Sequence, residues 1–574
     1  MTTTLPERTY RRLAGPTLTG AELVCESLVA HGVEVMFGYP GGAALPLYHH
    51  LVRYPIRHVL VRHEQNAAHA ADGYARITGR PGVCLATSGP GATNLVTGIA
   101  TAYMDCVPMV AITGQVPSAM IGKQAFQEVD VAGIVKPITK AAWCVMNAEE
   151  LPDVLAEAFR LASEGRPGPV LVDIPKDVLA GSLTYDRELP VAATPEPPAP
   201  SAELLETIDQ VAELLASAER PLLIAGHGVI LANAYRQLWS VVERSGVPFA
   251  TTLLGLSSMP EWHPQSLGLV GMHGRVAANL AMHHADVIVG VGMRFDDRVI
   301  GRAADYAPGA KLVHVDVDPI AFGRNLRCDV PVLADARQFL TLLADRVRPN
   351  PRPEWRARLG TWRDQHARCG RDDDNSVPTS PKVMEAIRSV TDGEATIVAD
   401  VGQHQMYAAL WYGYDRPNSY LTTGGLGTMG YALGGAMGAK LALGDRPVWA
   451  VIGDGGFQMS AAELNTLAVE GIDLKVAIIN NGYLGMVRQW QEKFYEGNLA
   501  HSKLWQPDFA KLAEAHGCLG IRVTRASEVE TALRRAMATP GPVVLDFRVP
   551  PMETVYPMVP PGACVGETIC EDAV

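Results

Sequence analysis

The residues best suited to chemistry lie at two turns in the last third of the chain, each following an apolar run. One turn reads Gly453-Asp454-Gly455-Gly456 and the other Asn480-Asn481-Gly482-Tyr483. In parallel α/β sheets, ligands bind beyond the carboxyl ends of strands, so we expect Asp454 and Asn481 to meet at one site. Glycines let backbone amides approach a phosphate, and a following helix start favours anions. A carboxylate, an amide oxygen and the backbone carbonyl of Tyr483 suit Mg²⁺.

The combination of the two turns is more informative than either turn by itself. Taken alone, Gly-Asp-Gly is more often a tight turn without a ligand. Followed at this interval by Asn480-Asn481, it resembles the thiamine diphosphate signature. The resemblance predicts thiamine diphosphate and Mg²⁺ as cofactors, with Asp454, Asn481 and Tyr483 as metal ligands and with diphosphate contacts from Gly453, Asp454, Gly455 and Gly456.

A third candidate is Glu64, in the first third of the chain. Chemistry on thiamine diphosphate needs a carboxylate that exchanges a proton with the pyrimidine ring of the cofactor. Glu64 lies where an apolar run passes into an Ala-rich, helix-forming stretch. The alternative is a glutamate that merely stabilises the start of this helix through the helix dipole. Beside the Asp454 turn, the catalytic interpretation is favoured, and the cofactor then lies between two domains.

The pattern that must position these residues is α/β. Continuous apolar runs at 83–87, 222–225, 287–290 and 476–479 are typical of parallel strands covered on both faces, and they alternate with helical stretches. We therefore predict three doubly wound parallel-sheet domains. Two proline-rich segments, at 195–200 and 349–353, set the domain limits. The second is followed by a predicted helix from Trp355 to His366 and by a polar run at 371–376. The predicted domains are 1–190, 200–345 and 380–574.

The first and third domains also resemble each other. Residues 81–114 and 447–482 both read as strand, glycine-rich turn, helix and strand. This indicates two related domains that flank a different middle domain, although all parallel α/β units share such a pattern.

Composition excludes several classes of protein. The net charge of −12 argues against nucleic-acid binding, and no apolar run approaches the length that spans a bilayer. Residues 1–12 lack the apolar core of a signal peptide. The nine cysteines are odd in number and include no Cys-x-x-Cys pair, so we predict free thiols in a reducing cytoplasm rather than a disulfide framework or zinc site.

Over nearly its whole length the chain resembles the catalytic large subunit of biosynthetic acetolactate synthase, also called acetohydroxyacid synthase. Nine short motifs spread over all three predicted domains carry the resemblance. They are Phe37-Gly38-Tyr39-Pro40-Gly41-Gly42, Arg62-His63-Glu64, Ala125-Phe126-Gln127-Glu128, Asp173-Ile174-Pro175-Lys176-Asp177, Gly271-Met272-His273-Gly274, Arg294-Phe295-Asp296-Asp297-Arg298, Asp400-Val401-Gly402-Gln403-His404-Gln405-Met406, Gly424-Gly425-Leu426-Gly427-Thr428-Met429-Gly430 and Gly485-Met486-Val487-Arg488-Gln489-Trp490-Gln491.

The resemblance implies roles for further residues at the thiamine site. Met429 would fill the concave side of the bent cofactor as a flexible apolar side chain, where the alternative is ordinary core packing. Glu64 would contact the pyrimidine. The other implied contacts are Gly402, Gln403, His404, Gly427 and Met486.

The resemblance also implies an acceptor pocket for a second 2-keto acid. Arg298 would bind the carboxylate bidentately, and Trp490 would favour 2-ketobutyrate over pyruvate through one extra methylene. The alternative for Arg298 is a surface salt bridge within its own charged run. Phe126, Gln127 and Lys176 would lie at the entrance. Many family members have Thr-Asp where this chain has Lys123-Gln124, which leaves the entrance loop and acceptor preference less determined than the cofactor site.

In the middle domain, Gly226-His227-Gly228 follows one apolar run. Asp316 and Asp335 lie at the ends of two further apolar runs. Alone, this is a weak dinucleotide-binding signal. The resemblance implies FAD, which would be structural because the reaction needs no net redox change. The remaining implied FAD contacts are Arg166, Thr251, Thr252, Leu253, Met272, His273, Arg294 and Val317.

The activity that the resemblance implies is formation of 2-acetolactate or 2-aceto-2-hydroxybutyrate from pyruvate and a second pyruvate or 2-ketobutyrate. We expect a homodimer or homotetramer, which a small regulatory subunit could join. We also expect the protein to lie in the cytoplasm and to have no membrane or nucleic-acid partner. The alternatives are a flavin-linked pyruvate oxidase, another thiamine diphosphate-dependent lyase or ligase, and a non-catalytic homologue. Arg298 and Trp490 argue against the oxidase, and the intact Glu64, Asp454 and Asn481 argue against a non-catalytic protein.

Overall fold

The computed structural model describes residues 17–193, 198–370 and 376–570. The start of the chain, residues 195–197 of the first proline-rich segment and residues 371–375 of the polar run lie outside these ranges. The predicted α/β class is confirmed, since the described residues build three six-stranded parallel sheets and one two-stranded antiparallel sheet. The strands are β1 (Thr17–Thr19), β2 (Val35–Gly38), β3 (Arg57–Leu60), β4 (Gly82–Ala86), β5 (Met109–Gln115), β6 (Ala141–Cys144), β7 (Pro169–Pro175), β8 (Ser182–Thr184), β9 (Pro221–Ala225), β10 (Phe249–Thr251), β11 (Ser266–Leu269), β12 (Val287–Val291), β13 (Lys311–Asp316), β14 (Val330–Leu333), β15 (Thr396–Ala399), β16 (Tyr420–Leu421), β17 (Val448–Gly453), β18 (Lys475–Asn480), β19 (Leu519–Val523) and β20 (Val543–Arg548).

Helices connect the strands and cover the sheets. The helix expected from Trp355 to His366 is α15. The α-helices are α1 (Gly20–Ala30), α2 (Leu45–Leu51), α3 (Glu64–Thr78), α4 (Pro90–Asn94), α5 (Val96–Asp105), α6 (Val131–Val135), α7 (Leu151–Ser163), α8 (Lys176–Ala180), α9 (Ala202–Ser217), α10 (His227–Leu231), α11 (Tyr235–Ser245), α12 (Val276–His284), α13 (Asp297–Ile300), α14 (Ala336–Ala344), α15 (Pro353–Gln365), α16 (Ser380–Val390), α17 (Gln403–Trp411), α18 (Tyr431–Leu443), α19 (Asp454–Ser460), α20 (Glu463–Glu470), α21 (Gly485–Phe494), α22 (Phe509–Ala515) and α23 (Val529–Ala538). The 3₁₀ turns are Ser118–Met120, Lys136–Ile138, Ala148–Glu150, Leu253–Gly255, Ala303–Asp305, Pro319–Ala321, Ala526–Glu528 and Val565–Glu567.

The first and third sheets have the same topology. Their strand orders are β3-β2-β4-β5-β7-β6 and β16-β15-β17-β18-β20-β19, which coincide when strands are counted within each sheet. The relation expected between the first and third domains is therefore found in the order of the strands as well as in the local sequence pattern. In both sheets the second strand lies on one side of the first strand (β2 or β15), and the later strands lie on its other side. Ligands bind at such a reversal of strand order in open α/β sheets.

The middle sheet differs. Its order, β11-β10-β9-β12-β13-β14, is the arrangement typical of dinucleotide-binding domains, with the reversal between β9 and β12. The Gly226-His227-Gly228 turn follows β9 and Asp316 ends β13, so these residues lie at the carboxyl edge of this sheet.

The first and third sheets are held together by a close packing of α3 on α18. A Cβ on Gly73 would lie 2.0 Å from the Gly435 carbonyl oxygen, and a Cβ on Gly438 would lie 1.8 Å from the carbonyl oxygen of Ala70. Glycine is required at both positions because a larger residue would separate the helices. Alanines of both helices are fully buried in one continuous apolar cluster with the two sheets.

The cysteines depart from the prediction of free thiols. Cys369, just after α15, forms a disulfide with Cys570 near the end of the described chain, with a Cα–Cα distance of 5.1 Å. Their separation of 201 residues is why no local spacing signalled the pair. The other seven cysteines are free, and Cys144 among them is exposed.

We expect two of the nine thiols to resist alkylation when the protein is unfolded without a reductant. Peptide mapping by mass spectrometry should then recover one linked pair of peptides containing Cys369 and Cys570. Cys144 is the internal control, since its exposed thiol should react even in the folded protein. Alkylation of all nine cysteines in the unreduced, unfolded chain would contradict the disulfide.

No helix in the described ranges is both long and apolar enough to cross a membrane.

Candidate functional site

Asp454 and Asn481 lie together at the carboxyl edge of the third sheet. Asp454 starts α19 directly after β17, and Asn481 follows β18, which pairs with β17. The Gly482 amide donates to Asp454 Oδ2 at 2.9 Å, and the Tyr483 amide donates to Asn481 Oδ1 at 3.0 Å. Gln506 also donates to Asp454 Oδ2. The two turns that the sequence singled out therefore form one hydrogen-bonded unit.

Asp454 is a carboxyl group that needs a positive partner. It is only 2% exposed, and burial raises its pKa to about 7. A bound cation would favour its ionised form. Within the described residues there is no group of three or more His, Cys, Asp or Glu side chains suited to a metal. One carboxylate and one amide oxygen fit Mg²⁺, which completes its sphere with water and phosphate oxygens.

Gln403 and His404 begin α17 at the end of the neighbouring strand β15. Asn481 Nδ2 donates to Gln403 Oε1 at 3.1 Å, so the amide of Gln403 orients that of Asn481. The ring of His404 lies over Gly402 and Gly453, where added Cβ atoms would come within 2.9 Å and 2.8 Å of it. Burial lowers the pKa of His404 to about 3, and its Nε2 is buried without a hydrogen-bond partner. A neutral imidazole with an unpaired nitrogen in this cradle fits a polar ligand, and it pairs with a diphosphate oxygen in the tautomer that carries the proton on Nε2.

Asp400 is a residue of this region to which the sequence gave no role. It is fully buried, and it accepts hydrogen bonds from the amides of Gly430 and Ala432 at 3.0 and 2.9 Å. The carboxylate thereby fixes the start of α18 and the position of Met429 just before it. Met429 is half-buried rather than part of the core, with its Cε 3.5 Å from the point where a Cβ on Gly455 would lie. Only the three-dimensional structure reveals this pairing of Asp400 with the helix start.

Glu64 and the predicted entrance residues form a second group, at the carboxyl edge of the first sheet. Glu64 starts α3 and accepts a hydrogen bond from Asn94 Nδ2 at 2.9 Å. Gln127 has a left-handed backbone (φ +60°), and its Cα would lie 2.9 Å from a Cβ on Gly89 in the turn that leads to Asn94. Phe126 is 88% exposed, and Lys176, at the start of α8, is exposed as well.

Within one chain, no hydrogen bond or ion pair between described residues joins Glu64 or its neighbours to Asp454 or Asn481. Instead, the amides of Arg62 and His63 donate to Glu463 Oε1 at 2.9 and 3.1 Å. Glu463 starts α20, the helix that follows α19 and its first residue Asp454. The segment before Glu64 is therefore bound to the third domain at α20 rather than at the Asp454 turn. Each group is half of the arrangement that the sequence predicts.

A cavity of about 1770 Å³ lies between the middle domain and the other two and is lined by residues of all three. It exceeds the ~300–1,000 Å³ of ordinary small-molecule pockets, so it has room for an extended ligand. Gly226 and Thr251 do not line it. The predicted FAD and thiamine residues that do are Arg166, Gly228, Thr252, Leu253, Met272, His273, Arg294, Asp316, Val317, Asp335, Gly427 and Met486.

Gly226 and Gly228 act on the backbone of the middle sheet. A Cβ on Gly226 would lie 2.3 Å from the Gly292 carbonyl oxygen, and one on Gly228 would lie 2.7 Å from the Gly292 Cα. The Gly228 amide donates to the Gly292 carbonyl at 3.0 Å. The two glycines thus allow the turn after β9 to pack closely on Gly292, directly after β12.

Arg298 and Trp490 meet at the same cavity although they come from different domains. The Arg298 guanidinium carbon lies 5.9 Å from the centroid of the Trp490 ring, within the range of a cation–π contact. Arg298 Nε is 3.6 Å from Asp297 Oδ2, and Arg294 pairs with Asp296 at 3.2 Å. The surface ion pairs offered as the alternative are therefore present too. The Arg298 side chain is 60% exposed, so its charge is accessible to a ligand.

A buried ion network that the sequence did not reveal fixes the glycine-rich wall of this cavity. Arg76 on α3 donates to Asp72 at 2.6 Å and to Asp105 at 2.8 Å, with all three side chains nearly inaccessible. Asp105 accepts in turn from the amides of Gly424 and Gly425 at 3.2 and 2.7 Å. The first domain thereby holds the loop that leads to Gly427 and Met429. Asp72 and Arg76 lie on the same helix as Glu64, but their local sequence does not identify Asp105 as a partner.

Comparisons with known proteins agree with this architecture. Residues 18–134, 208–343 and 400–547 match the N-terminal thiamine pyrophosphate (TPP) binding domain, the central domain and the C-terminal TPP binding domain of thiamine pyrophosphate enzymes. An acetolactate synthase of Mycobacterium bovis is 48% identical over 564 residues, which is 95% of this chain and 90% of that protein. The chain belongs to the acetolactate synthase family. Within that family, the large subunit of Corynebacterium glutamicum is 46% identical (96% of this chain, 90% of the relative), and the isozyme 3 large subunit of Escherichia coli is 44% identical (94% and 96%).

The matched ranges divide the candidate residues of this acetolactate synthase family member among three domains. Glu64 and Gln127 fall in the N-terminal range, and Asp454 and Asn481 fall in the C-terminal one. Arg298 lies in the central range. Lys176 and the segment after β20 lie outside all three ranges; in the structure Lys176 starts α8 directly after β7, in the first domain.

Proposed function

We propose that the protein decarboxylates pyruvate and joins the two-carbon unit to a second pyruvate or to 2-ketobutyrate, giving 2-acetolactate or 2-aceto-2-hydroxybutyrate. The observation that carries the proposal is the contact of Arg298 with Trp490 at a cavity that Gly427 and Met486 also line. It places a cation and a large apolar wall, the requirements of a short 2-keto acid acceptor, beside the predicted cofactor residues. Branched-chain amino-acid synthesis would consume these products.

The third-domain residues would hold thiamine diphosphate and Mg²⁺. Asp454, Asn481 and the carbonyl of Tyr483 would bind the metal, while Gly402, His404 and residues 453–456 would contact the diphosphate. When bound, the cofactor supplies a nucleophilic carbon and an electron sink that let a 2-keto acid lose CO₂. Gln403 accepts the hydrogen bond that orients Asn481, and Met429 would contact the bound cofactor. These assignments rest on the fit of the buried Asp454 carboxylate to a metal ion, and on an unpaired His404 Nε2 that can donate to the diphosphate when it carries the ring proton.

Glu64 would complete this site from a second copy of the chain. Its carboxylate would exchange a proton with the pyrimidine ring, a role that needs close contact. Because no hydrogen bond or ion pair between described residues joins Glu64 to Asp454 within one chain, we propose that a homodimer or a larger homo-oligomer brings the two halves together. Phe126, with 88% of its surface exposed in the single chain, and Gln127 and Lys176 would then border the entrance between copies.

FAD would occupy the large cavity of the middle domain in a structural role. Asp316 would bind ribose hydroxyls from the end of β13, and Arg166, which pairs with Asp318 at 3.5 Å, would face the cofactor's phosphates. No net electron transfer occurs in the proposed reaction. Reduction of bound FAD in step with turnover, followed by its absorbance, would contradict the structural role.

One assay tests the activity directly. The purified protein is incubated with pyruvate, thiamine diphosphate, Mg²⁺ and FAD, and the products are identified by mass spectrometry with and without 2-ketobutyrate. We expect acetolactate in the first case and mainly 2-aceto-2-hydroxybutyrate in the second. Acetyl phosphate, peroxide or a reduced quinone as the main product would overturn the proposal in favour of a pyruvate oxidase.

The variant Trp490→Leu is expected to erode the preference for 2-ketobutyrate by about tenfold, the lower end of what one methylene contact contributes. The physical reason is the loss of the ring face that would contact the extra methylene. The measurement is the product ratio at fixed concentrations of both acceptors. Trp262→Leu is the control, because Trp262 is 63% exposed and lines neither described cavity. An unchanged ratio in Trp490→Leu would remove its assigned role.

The remaining assignments complete the proposal. The names of the relatives from Corynebacterium glutamicum and Escherichia coli as large subunits support a small regulatory partner subunit. We keep 1–190, 200–345 and 380–574 as the proposed domain limits and the cytoplasm as the proposed location.

A further inference from the structure

The last described part of the chain, residues 549–570 (the C-terminal segment), crosses back from the third domain to the middle one. Its Val555 amide donates to Gln489 Oε1 at 2.9 Å, and its Val559 amide donates to the Met272 carbonyl at 2.7 Å. Further along, the Arg302 amide donates to the Ala563 carbonyl at 3.0 Å. The segment therefore bridges the loop that carries Met272 and the helix that carries Trp490.

A second, small cavity of about 180 Å³ lies beneath this segment. Arg298, Trp490 and Met272 line it, and all three also line the large cavity. Val559 and Val565, which are 2% and 1% exposed, line it from the C-terminal segment. Arg298 is the one cation among the described residues that line it, and Asp297, its ion-pair partner at 3.6 Å, lines it as well. The small cavity thus combines a carboxylate-binding charge with an apolar wall and has room for a ligand of only a few carbon atoms.

We propose that Val559 and Val565 form the far wall of the acceptor pocket and set the length of alkyl chain that the acceptor 2-keto acid can carry. The inference rests on the proposed function. With the carboxylate on Arg298, the alkyl end of the acceptor points away from that charge and against the two valines. Trp490 borders the side of the alkyl group of the acceptor, and Val559 and Val565 limit its length. The segment after β20, which carries no predicted site residue, thereby becomes part of the specificity machinery.

The test is competition among pyruvate, 2-ketobutyrate and the five-carbon 2-ketovalerate as acceptors, with the products quantified by mass spectrometry. Val559→Ala shortens the wall by two methyl groups. We expect it to raise the use of 2-ketovalerate relative to 2-ketobutyrate by about fourfold, which corresponds to one buried methylene. Val559→Leu fills the pocket and should shift use from 2-ketobutyrate towards pyruvate by a similar factor.

Val555→Ala is the matched control. Val555 is a fully buried valine of the same segment that lines neither cavity, so its loss loosens the segment without changing the wall. The same ratio in Val559→Ala as in Val555→Ala would overturn the inference. If Val559→Ala does not fold, Val565→Ala opens the same wall and gives the ratio instead. Wild-type protein that forms no acetolactate from pyruvate alone would show that the proposed function itself fails; an active wild type with unchanged variant ratios would remove only the inference.

Discussion

Glu64→Gln is expected to lower turnover of pyruvate by about 10²–10⁴-fold, the usual contribution of a positioned acid–base group. Gln keeps the shape and can still accept the hydrogen bond from Asn94, but it cannot exchange a proton with the cofactor. Steady-state kinetics at saturating thiamine diphosphate measure the loss. The absorbance of bound FAD should be unchanged, because Glu64 does not line the large cavity.

Mixing two inactive variants tests whether the site is shared between copies. Asp454→Asn removes the third-domain half, and Glu64→Gln removes the first-domain half. If each site takes Glu64 from one copy and Asp454 from the other, a hybrid dimer keeps one intact site of its two. Equal mixtures refolded or co-expressed should therefore recover about a quarter of wild-type activity, since about half of the dimers are hybrids. No recovery in a mixture that forms hybrids would mean that each chain builds its site alone.

Local signals account for the parts of the site that the sequence could predict. Strand ends, glycine turns and apolar runs are properties of a few consecutive residues. The Asp454 turn, the Asn481 turn and the Gly226-His227-Gly228 turn could therefore be assigned to the edges of sheets from the order of residues alone. The alternation of strands and helices likewise led to three parallel sheets. The repeated pattern at 81–114 and 447–482 indicated that the first and third domains are related, and their sheets have the same strand order.

Pairings between distant residues account for what could not be predicted. The disulfide joins Cys369 to Cys570 across 201 residues, and neither cysteine has a partner at a recognisable spacing. Asp105, at the end of α5, meets Gly424 and Gly425 where the first and third domains pack together, and α3 packs on α18 at glycine contacts in the same interface. The small cavity under the C-terminal segment depends on the chain returning to the middle domain after β20. Each of these follows from how the domains pack, which no local pattern encodes.

The Arg76 network is the clearest case, and its removal should have the largest effect on stability. Arg76→Met is expected to destabilise the folded protein by about 3–5 kcal/mol, because it leaves the buried carboxylates of Asp72 and Asp105 without their shared cation. Met keeps the apolar stem of Arg, so the loss reflects removal of the guanidinium group with its charge and hydrogen bonds. Chemical unfolding followed by tryptophan fluorescence measures the shift. Arg80→Met is the control: Arg80 is 48% exposed and pairs with Glu34 at 3.3 Å, so its loss should change stability by about 0–1 kcal/mol.

A second readout separates the network from a purely structural ion pair. Asp105 holds the amides of Gly424 and Gly425, and both glycines line the large cavity. Arg76→Met should therefore also weaken the retention of FAD during gel filtration at temperatures where the protein is still folded, whereas Arg80→Met should not. Arg76→Lys should be intermediate in both measurements, because one ammonium cannot reproduce the fork that reaches two carboxylates. Equal stability of Arg76→Met and Arg80→Met would mean that the two aspartates tolerate burial without the arginine, and the loop would then be held by the close packing of α3 on α18 alone.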